Sequence, residues 1–329
     1  MTSRILPRNP EAIIPPGYEH LVEPVQYELV EKTWRDWNMR ARDFLRAETG
    51  LKLSVNGKQQ SVQITARNYV PSEFDWIIKH IGLENWLLGR KRPMLESLRD
   101  RTDELASYFE QNPEAQIQLD LQDGDINSVG SFWNTVNKII EQLPHWQIEV
   151  FAKFREIDKD VLGAYFYEIP RIELYWIPIV LMAETIRASI EDVTIMVLIH
   201  ELAHAYTHVG MDIGGRSWDT PAFAGSDRAV LEGLAQYYTC VFLTGIKDDQ
   251  PNAIEAFNQL LRTQSPEYQT HKVWMEGDAV AQSEAIRLAL LDARLQSVSK
   301  QHKFSADVAD NKSRLGRDRG GDLWSSASS

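Results

Sequence analysis

His200-Glu201-Leu202-Ala203-His204 combines residue types and a spacing that could do metal chemistry. Residues four apart share one face of an α-helix, so the two imidazoles project together with Glu201 beside them. Neutral imidazoles are nitrogen ligands for zinc, and a neighbouring carboxylate can accept a proton from a water whose pKa the metal has lowered. Five residues of this kind also arise by accident, so their surroundings must decide. The competing occupant of the pattern is a pair of core histidines, hydrogen-bonded to neighbours and holding no metal.

The surroundings predict a buried helix over 189–209. Ser189 suits an N-cap, with Glu191 and Asp192 in the first turn where negative charge complements the helix dipole. Val193, Met196, Ile199, Leu202 and Ala203 form an apolar stripe, and Gly210 reads as the C-terminal stop. Unpaired histidines and a glutamate would be costly on such a helix, and a metal would satisfy them.

Zinc held by two histidines needs a third protein ligand, leaving the fourth position for water. His208 lies on the same straight helix, from which three ligands cannot converge, and reads as an exposed or capping residue. A metzincin pattern would require a ligand six residues after His204, where the chain has Gly210. Asp212 and Asp219 stay open, because loops fold back. Glu232 is the preferred candidate: it is the lone carboxylate in the apolar helical segment Val230–Tyr238, and Gly233 and Ala235 permit close helix packing.

His200-Glu201-xx-His204 with a glutamate on a later helix resembles the gluzincin branch of the zincin metallopeptidases. The likeness spans about residues 115–298. It implies zinc held by His200, His204 and Glu232, with Glu201 as general base, in hydrolysis of a peptide bond of a peptide or protein substrate. It also implies an electrophile for the oxyanion from beyond the ligand helices: Tyr268 or His271, with Tyr237 and Tyr238 as competitors. In that family an edge strand beside the active-site helix pairs with the substrate backbone, and Gly163–Tyr167 is the candidate. Many gluzincins carry an aspartate four residues after the ligand glutamate. Here that residue is Gln236, so an outer carboxylate must come from Asp227 or Asp219, or a carbonyl must serve. Two other classes fit the same residues: a binding or regulatory module that keeps the metal, and a zinc hydrolase of another amide.

The remaining chain predicts an α+β fold, mainly helical, with a small sheet before the active-site helix. The sheet draws on 146–151, 163–167 and 171–176, rich in aromatic and β-branched residues. Residues 1–20 read as an extended arm. Residues 21–114 read as an N-terminal helical region, with Val25, Leu29, Thr33, Trp34, Trp37 and Phe44 lining a helix over 22–47. A β-hairpin over 51–66 turns at Asn56-Gly57. Helices are predicted over 74–88, 93–110, 129–142 (with Phe132, Val136, Ile139 and Ile140 on one side), 180–188, 226–243, 253–263 and 278–297, and a strand over 115–121. Residues 115–298 would be the catalytic domain. The charged, Ser/Gly-rich stretch 299–329 reads as disordered.

A net charge of -12 argues against a nucleic-acid surface. Charged residues interrupt every apolar run before the roughly 20 residues a membrane span needs. The first residues lack a signal peptide's apolar core, and the single Cys240 fits a reducing compartment, so the expected location is cytoplasmic.

Overall fold

The computed structural model describes residues 11, 13–55, 58–59, 61–81, 92–111, 128, 131–141, 152–157, 161–277, 279–296 and 298–325. They form two compact units, one drawn from Met1–Pro71 and Ile157–Ser329, the other from Ser72–Glu156. The division expected near residue 114 does not coincide with this one. The N-terminal segment through Pro71 belongs with the HExxH helix, and the second unit is inserted within the first along the chain.

The larger unit is mostly helical with one three-stranded sheet. Its elements begin with α1 (Pro24–Thr49), β1 (Ser54–Val55), β2 (Lys58–Gln59) and β3 (Gln63–Arg67). The inserted unit contributes α2 (Ser72–Ile81) and α3 (Arg92–Gln111), with further helical turns at 131–141 and 152–155. The chain then returns through β4 (Gly163–Phe166), β5 (Arg171–Tyr175), α4 (Trp176–Ile186), α5 (Ile190–Val209), α6 (Thr220–Ala224), α7 (Arg228–Gly245) and α8 (Ala253–Leu261). A 3-10 turn (Pro266–Gln269), α9 (His271–Trp274), α10 (Ala279–Ala293) and α11 (Gln301–Ser325) follow. No helix among the described residues is long and apolar enough to cross a membrane.

Helix α5 forms as its sequence dictates. The Ser189 hydroxyl oxygen accepts from the Asp192 backbone N–H at 2.9 Å and donates to the Asp192 carboxylate at 2.8 Å. Every residue from Asp192 to Val209 is buried, because α1, α4, α7, α8 and β4 all pack on this helix. Gly210 does end it, but not in the left-handed conformation that usually favours glycine there (φ -58). A Cβ at Gly210 would lie 2.2 Å from the Tyr206 carbonyl oxygen and 2.9 Å from Leu51 Cβ, so lack of a side chain is what the position requires.

The sheet has the order β3-β5-β4, with β3 parallel and β4 antiparallel to the central β5. This corrects the hairpin expected over 51–66. Val55 does pair with Lys58 across the Asn56-Gly57 position, but the β1–β2 ladder is two residues long. The run 63–67 leaves it to pair with Arg171–Tyr175, where Ile64 and Ala66 reach the core. Strand β4 is an edge strand among the described residues. The expected strands over 115–121 and 146–151 fall outside the described residues.

Four further expectations change. Helix α1 buries Tyr27, Val30, Thr33, Ala41 and Leu45, and Trp37 and Phe44 of the expected stripe pack edge-on to Phe242, but Val25 is 59% exposed. In the inserted unit Val136 and Ile140 pack with Leu95, and Phe132 is exposed. Helix α4 starts at Trp176, earlier than expected, with Pro178 tolerated in its first turn. Residues Gln301–Ser325 are helical: Phe304 and Val308 are buried and the Phe304 ring lies 4.8 Å from that of Trp274. Apolar residues spaced four apart outweigh the charged residues between them.

Candidate metal centre

His200 and His204 occupy successive turns of α5, and Glu232 sits one turn into α7, packed alongside. Their potential ligand atoms form a small triangle. His200 Nε2 and His204 Nε2 are 3.1 Å apart, and Glu232 Oε2 lies 3.2 Å from the first and 3.5 Å from the second. Ligands about 2.0–2.2 Å from a tetrahedral centre stand about 3.3–3.6 Å from each other, so these edges suit one small cation with little adjustment. The three residues are buried and form a group that could hold a metal ion.

Protons alone do not satisfy this triangle. With Glu232 ionised, both contacts to its oxygen are attractive only if each Nε2 carries hydrogen, and the two N–H groups then oppose each other at 3.1 Å. Burial would raise the Glu232 pKa. The His204 charge and hydrogen bonds from His200 and His204 outweigh burial and hold the carboxylate well below its usual range. A cation at the centre makes all three edges favourable at once.

Packing allows the approach. A Cβ on Gly233 would lie 2.5 Å from the Trp274 ring, so α7 can meet α9 this closely only through glycine. On the opposite side of the motif, β4 begins against α5. A Cβ at Gly163 would stand 2.7 Å from Val197 Cγ1 and 3.3 Å from Glu201 Cγ. Val197 and Glu201 are one turn apart, so the edge strand starts on the face of α5 that carries the proposed base, itself only 2% exposed.

Tyr268 is brought to the site. Its ring stacks on His200 at 5.7 Å with an interplanar angle of 21°, and its hydroxyl accepts from the Arg228 guanidinium at 3.1 Å. His271 is directed elsewhere: Nδ1 lies 2.9 Å from the Tyr268 carbonyl oxygen, and the ring packs edge-on to Phe257 of α8. Tyr237 and Tyr238 are buried in the core.

The other acidic candidates have structural partners. Asp212 accepts from the Arg216 backbone N–H at 2.9 Å, and Asp219 caps α6 through the Ala222 N–H at 3.2 Å. Asp227 binds Lys300 Nζ and the Gln301 N–H at the start of α11, and Gln236 donates to Gln264 at 3.0 Å. Asp227 and Asp219, the outer carboxylates expected from the sequence, thus each hold a helix start.

His208 is not the exposed or capping residue that its sequence position suggested. It is 1% exposed, with Nδ1 2.8 Å from the Tyr165 hydroxyl and Nε2 3.0 Å from Thr220 Oγ1. Burial pushes its pKa down to about 4. Both ring nitrogens are engaged away from the triangle, and the Tyr165 contact ties β4 to α5 one turn beyond His204.

Arg228 is the site residue that sequence reasoning missed. It precedes Glu232 by four residues, a signal easily read as a surface ion pair. Its Nε lies 3.5 Å from Glu232 Oε1, the oxygen turned away from the histidines.

Comparisons with protein-family models, with curated proteins and with solved structures return no match. What the site can do is therefore read from its own atoms.

Proposed function

We propose that this protein is a zinc-dependent peptidase of the gluzincin type, acting on a peptide or protein substrate in the cytoplasm. The observation that carries the proposal is the buried triangle of His200 Nε2, His204 Nε2 and Glu232 Oε2, with edges of 3.1 to 3.5 Å and Glu201 next to it in the chain. The donor set fits zinc: two imidazoles and one carboxylate oxygen, with a fourth position left for water. When bound, the metal supplies a Lewis acid and lowers the pKa of a water toward neutrality.

The chain's residues divide the remaining work. Glu201 takes the proton of the attacking water and returns it to the leaving amine. Its burial limits competition from bulk water. Tyr268 donates its hydroxyl proton to the developing oxyanion. Strand β4, whose outer edge is unpaired among the described residues, adds an extended substrate by backbone hydrogen bonding.

Metal analysis and one variant test this reading. Wild type should hold one zinc per chain, and Glu201→Gln should keep the metal while losing peptide hydrolysis by at least about 100-fold. Hydrolysis surviving in Glu201→Gln would sink the mechanism. A second reading, a binding module that retains the metal, draws support from burial: His200, the most exposed of the four central residues, is only 8% exposed. On that reading wild type binds zinc but hydrolyses no peptide.

A further inference from the structure

The carboxylate that binds a metal through one oxygen must have its other oxygen held, or it rotates and loses aim. Gln236, one turn beyond Glu232, bonds Gln264, while Asp227 and Asp219 hold the starts of α11 and α6. At the opposite end of the same segment stands Arg228, the first residue of α7. Its guanidinium touches two members of the site at once: Nε approaches Glu232 Oε1 at 3.5 Å, and a terminal nitrogen donates to the Tyr268 hydroxyl at 3.1 Å while the group lies over the Tyr268 ring. Its side chain is three-quarters buried, where an ion pair is far less screened than on the surface.

We infer that Arg228 is the positioning residue of this centre, fixing Glu232 as a one-oxygen ligand and setting the Tyr268 hydroxyl as a donor. The inference rests on the zinc reading above. By engaging Oε1, the guanidinium leaves Oε2 facing the two imidazoles. By donating to the phenol oxygen, it leaves the phenol's single proton to be given in another direction, where the developing oxyanion would need it. Arginine suits both tasks because its planar fork presents several donors in fixed directions. A lysine has one rotating head and no fork.

A mooring at the start of the helix keeps Arg228 in place. The Asp227 N–H donates to the Ser299 carbonyl at 2.9 Å, and the Asp227 carboxylate is held by Lys300 and Gln301. The residue before Arg228 is thus fixed from outside the site.

The test uses the full chain as wild type, Arg228→Lys and Arg228→Gln, stripped of metal and titrated with zinc against a chromophoric chelator. Zinc affinity should fall about 10–100-fold in Arg228→Gln and be partly restored in Arg228→Lys. Peptide hydrolysis should show that Arg228 acts through Tyr268: the double variant Arg228→Gln/Tyr268→Phe should be no slower in kcat than the slower single variant. Thermal unfolding of the metal-free forms separates aim from folding. Unchanged zinc affinity in Arg228→Gln, whatever its stability, overturns the inference, as do fully additive losses in kcat. If Arg228→Gln fails to fold, Arg228→Lys carries the same comparison, and wild-type affinity there overturns the fork argument. If wild type takes up no zinc, the proposed function falls first and Arg228 has nothing to aim.

Discussion

Gly163 shows how much at this site depends on one absent methyl group. A Cβ there would overlap Val197 Cγ1 at 2.7 Å and crowd the Glu173 carbonyl oxygen at 3.1 Å and Glu201 Cγ at 3.3 Å. Gly163→Ala must therefore displace β4 or turn the Val197 side chain. The expected cost is about 1–3 kcal/mol in urea unfolding; on the zinc-peptidase proposal, hydrolysis should also fall more than zinc content, because Glu201 and the edge strand move while the triangle does not. Equal stability and equal activity in that variant would show that β4 does not press on Val197 and Glu201. At this scale the sequence was informative where the signal was local. His200, Glu201 and His204 share one helical face, and Glu232 stood out as a carboxylate among apolar neighbours. The partners of His208 were not legible: Tyr165 and Thr220 come from other elements, and no spacing within α5 announces them. Arg228 was hidden for the opposite reason, since an arginine four residues before a glutamate is common on exposed helices.

Among the elements, α11 departs most from its sequence expectation. Its composition is charged and its glycines are poor helix formers, so propensity and polarity both argued for disorder. The helix is held instead by tertiary contacts: the Phe304 ring packs at a tilt on Trp274, Val308 is buried, and Lys312 donates to the Trp274 and Glu276 carbonyl oxygens at 2.6 Å each. Phe304 is 1% exposed, and Phe304→Ala should lower the unfolding free energy by about 3–5 kcal/mol, read from the urea midpoint. A disordered tail would make that substitution neutral. Helix α5 was read nearly to its ends because the Ser189 cap and the apolar run are both local signals. The 51–66 hairpin was misassigned because a turn dipeptide reports on the strands beside it and says nothing of a partner strand a hundred residues on. Strand β3 found a better partner in β5.

At the scale of the whole molecule, two buried imidazoles set a pH limit on stability. Burial lowers the pKa of both His208 and His271 to about 4, from a value near 6.5 in the unfolded chain. Between those values the unfolded state binds protons that the folded state refuses. Stability is thus fully present above about pH 6.5 and lost as pH falls toward 4, each imidazole steepening the loss by up to about 1.4 kcal/mol per pH unit. Urea midpoints of the metal-free protein should fall between pH 7.5 and pH 5. A flat profile over that range would mean that neither ring is buried neutral. His208→Gln should flatten part of the slope.

The pairing of β3 with β5 has a kinetic consequence. Arg67 and Arg171 end and begin strands of one sheet, with the inserted unit Ser72–Glu156 between them in sequence. In the unfolded chain, closing a loop of roughly a hundred residues costs about 4 kcal/mol of chain entropy, and each doubling of its length adds only about 0.6 kcal/mol. Lengthening the insertion is therefore cheap for the equilibrium, while pairing across it should be slow, because contacts so distant in sequence form slowly. Strand β4 docks on β5 across a short turn, while β3 must arrive from the far side of the insertion. The β3–β5 pairing should therefore form after the β4–β5 pairing, with amide protection appearing later at 63–67 than at 163–166 in pulse-labelled refolding.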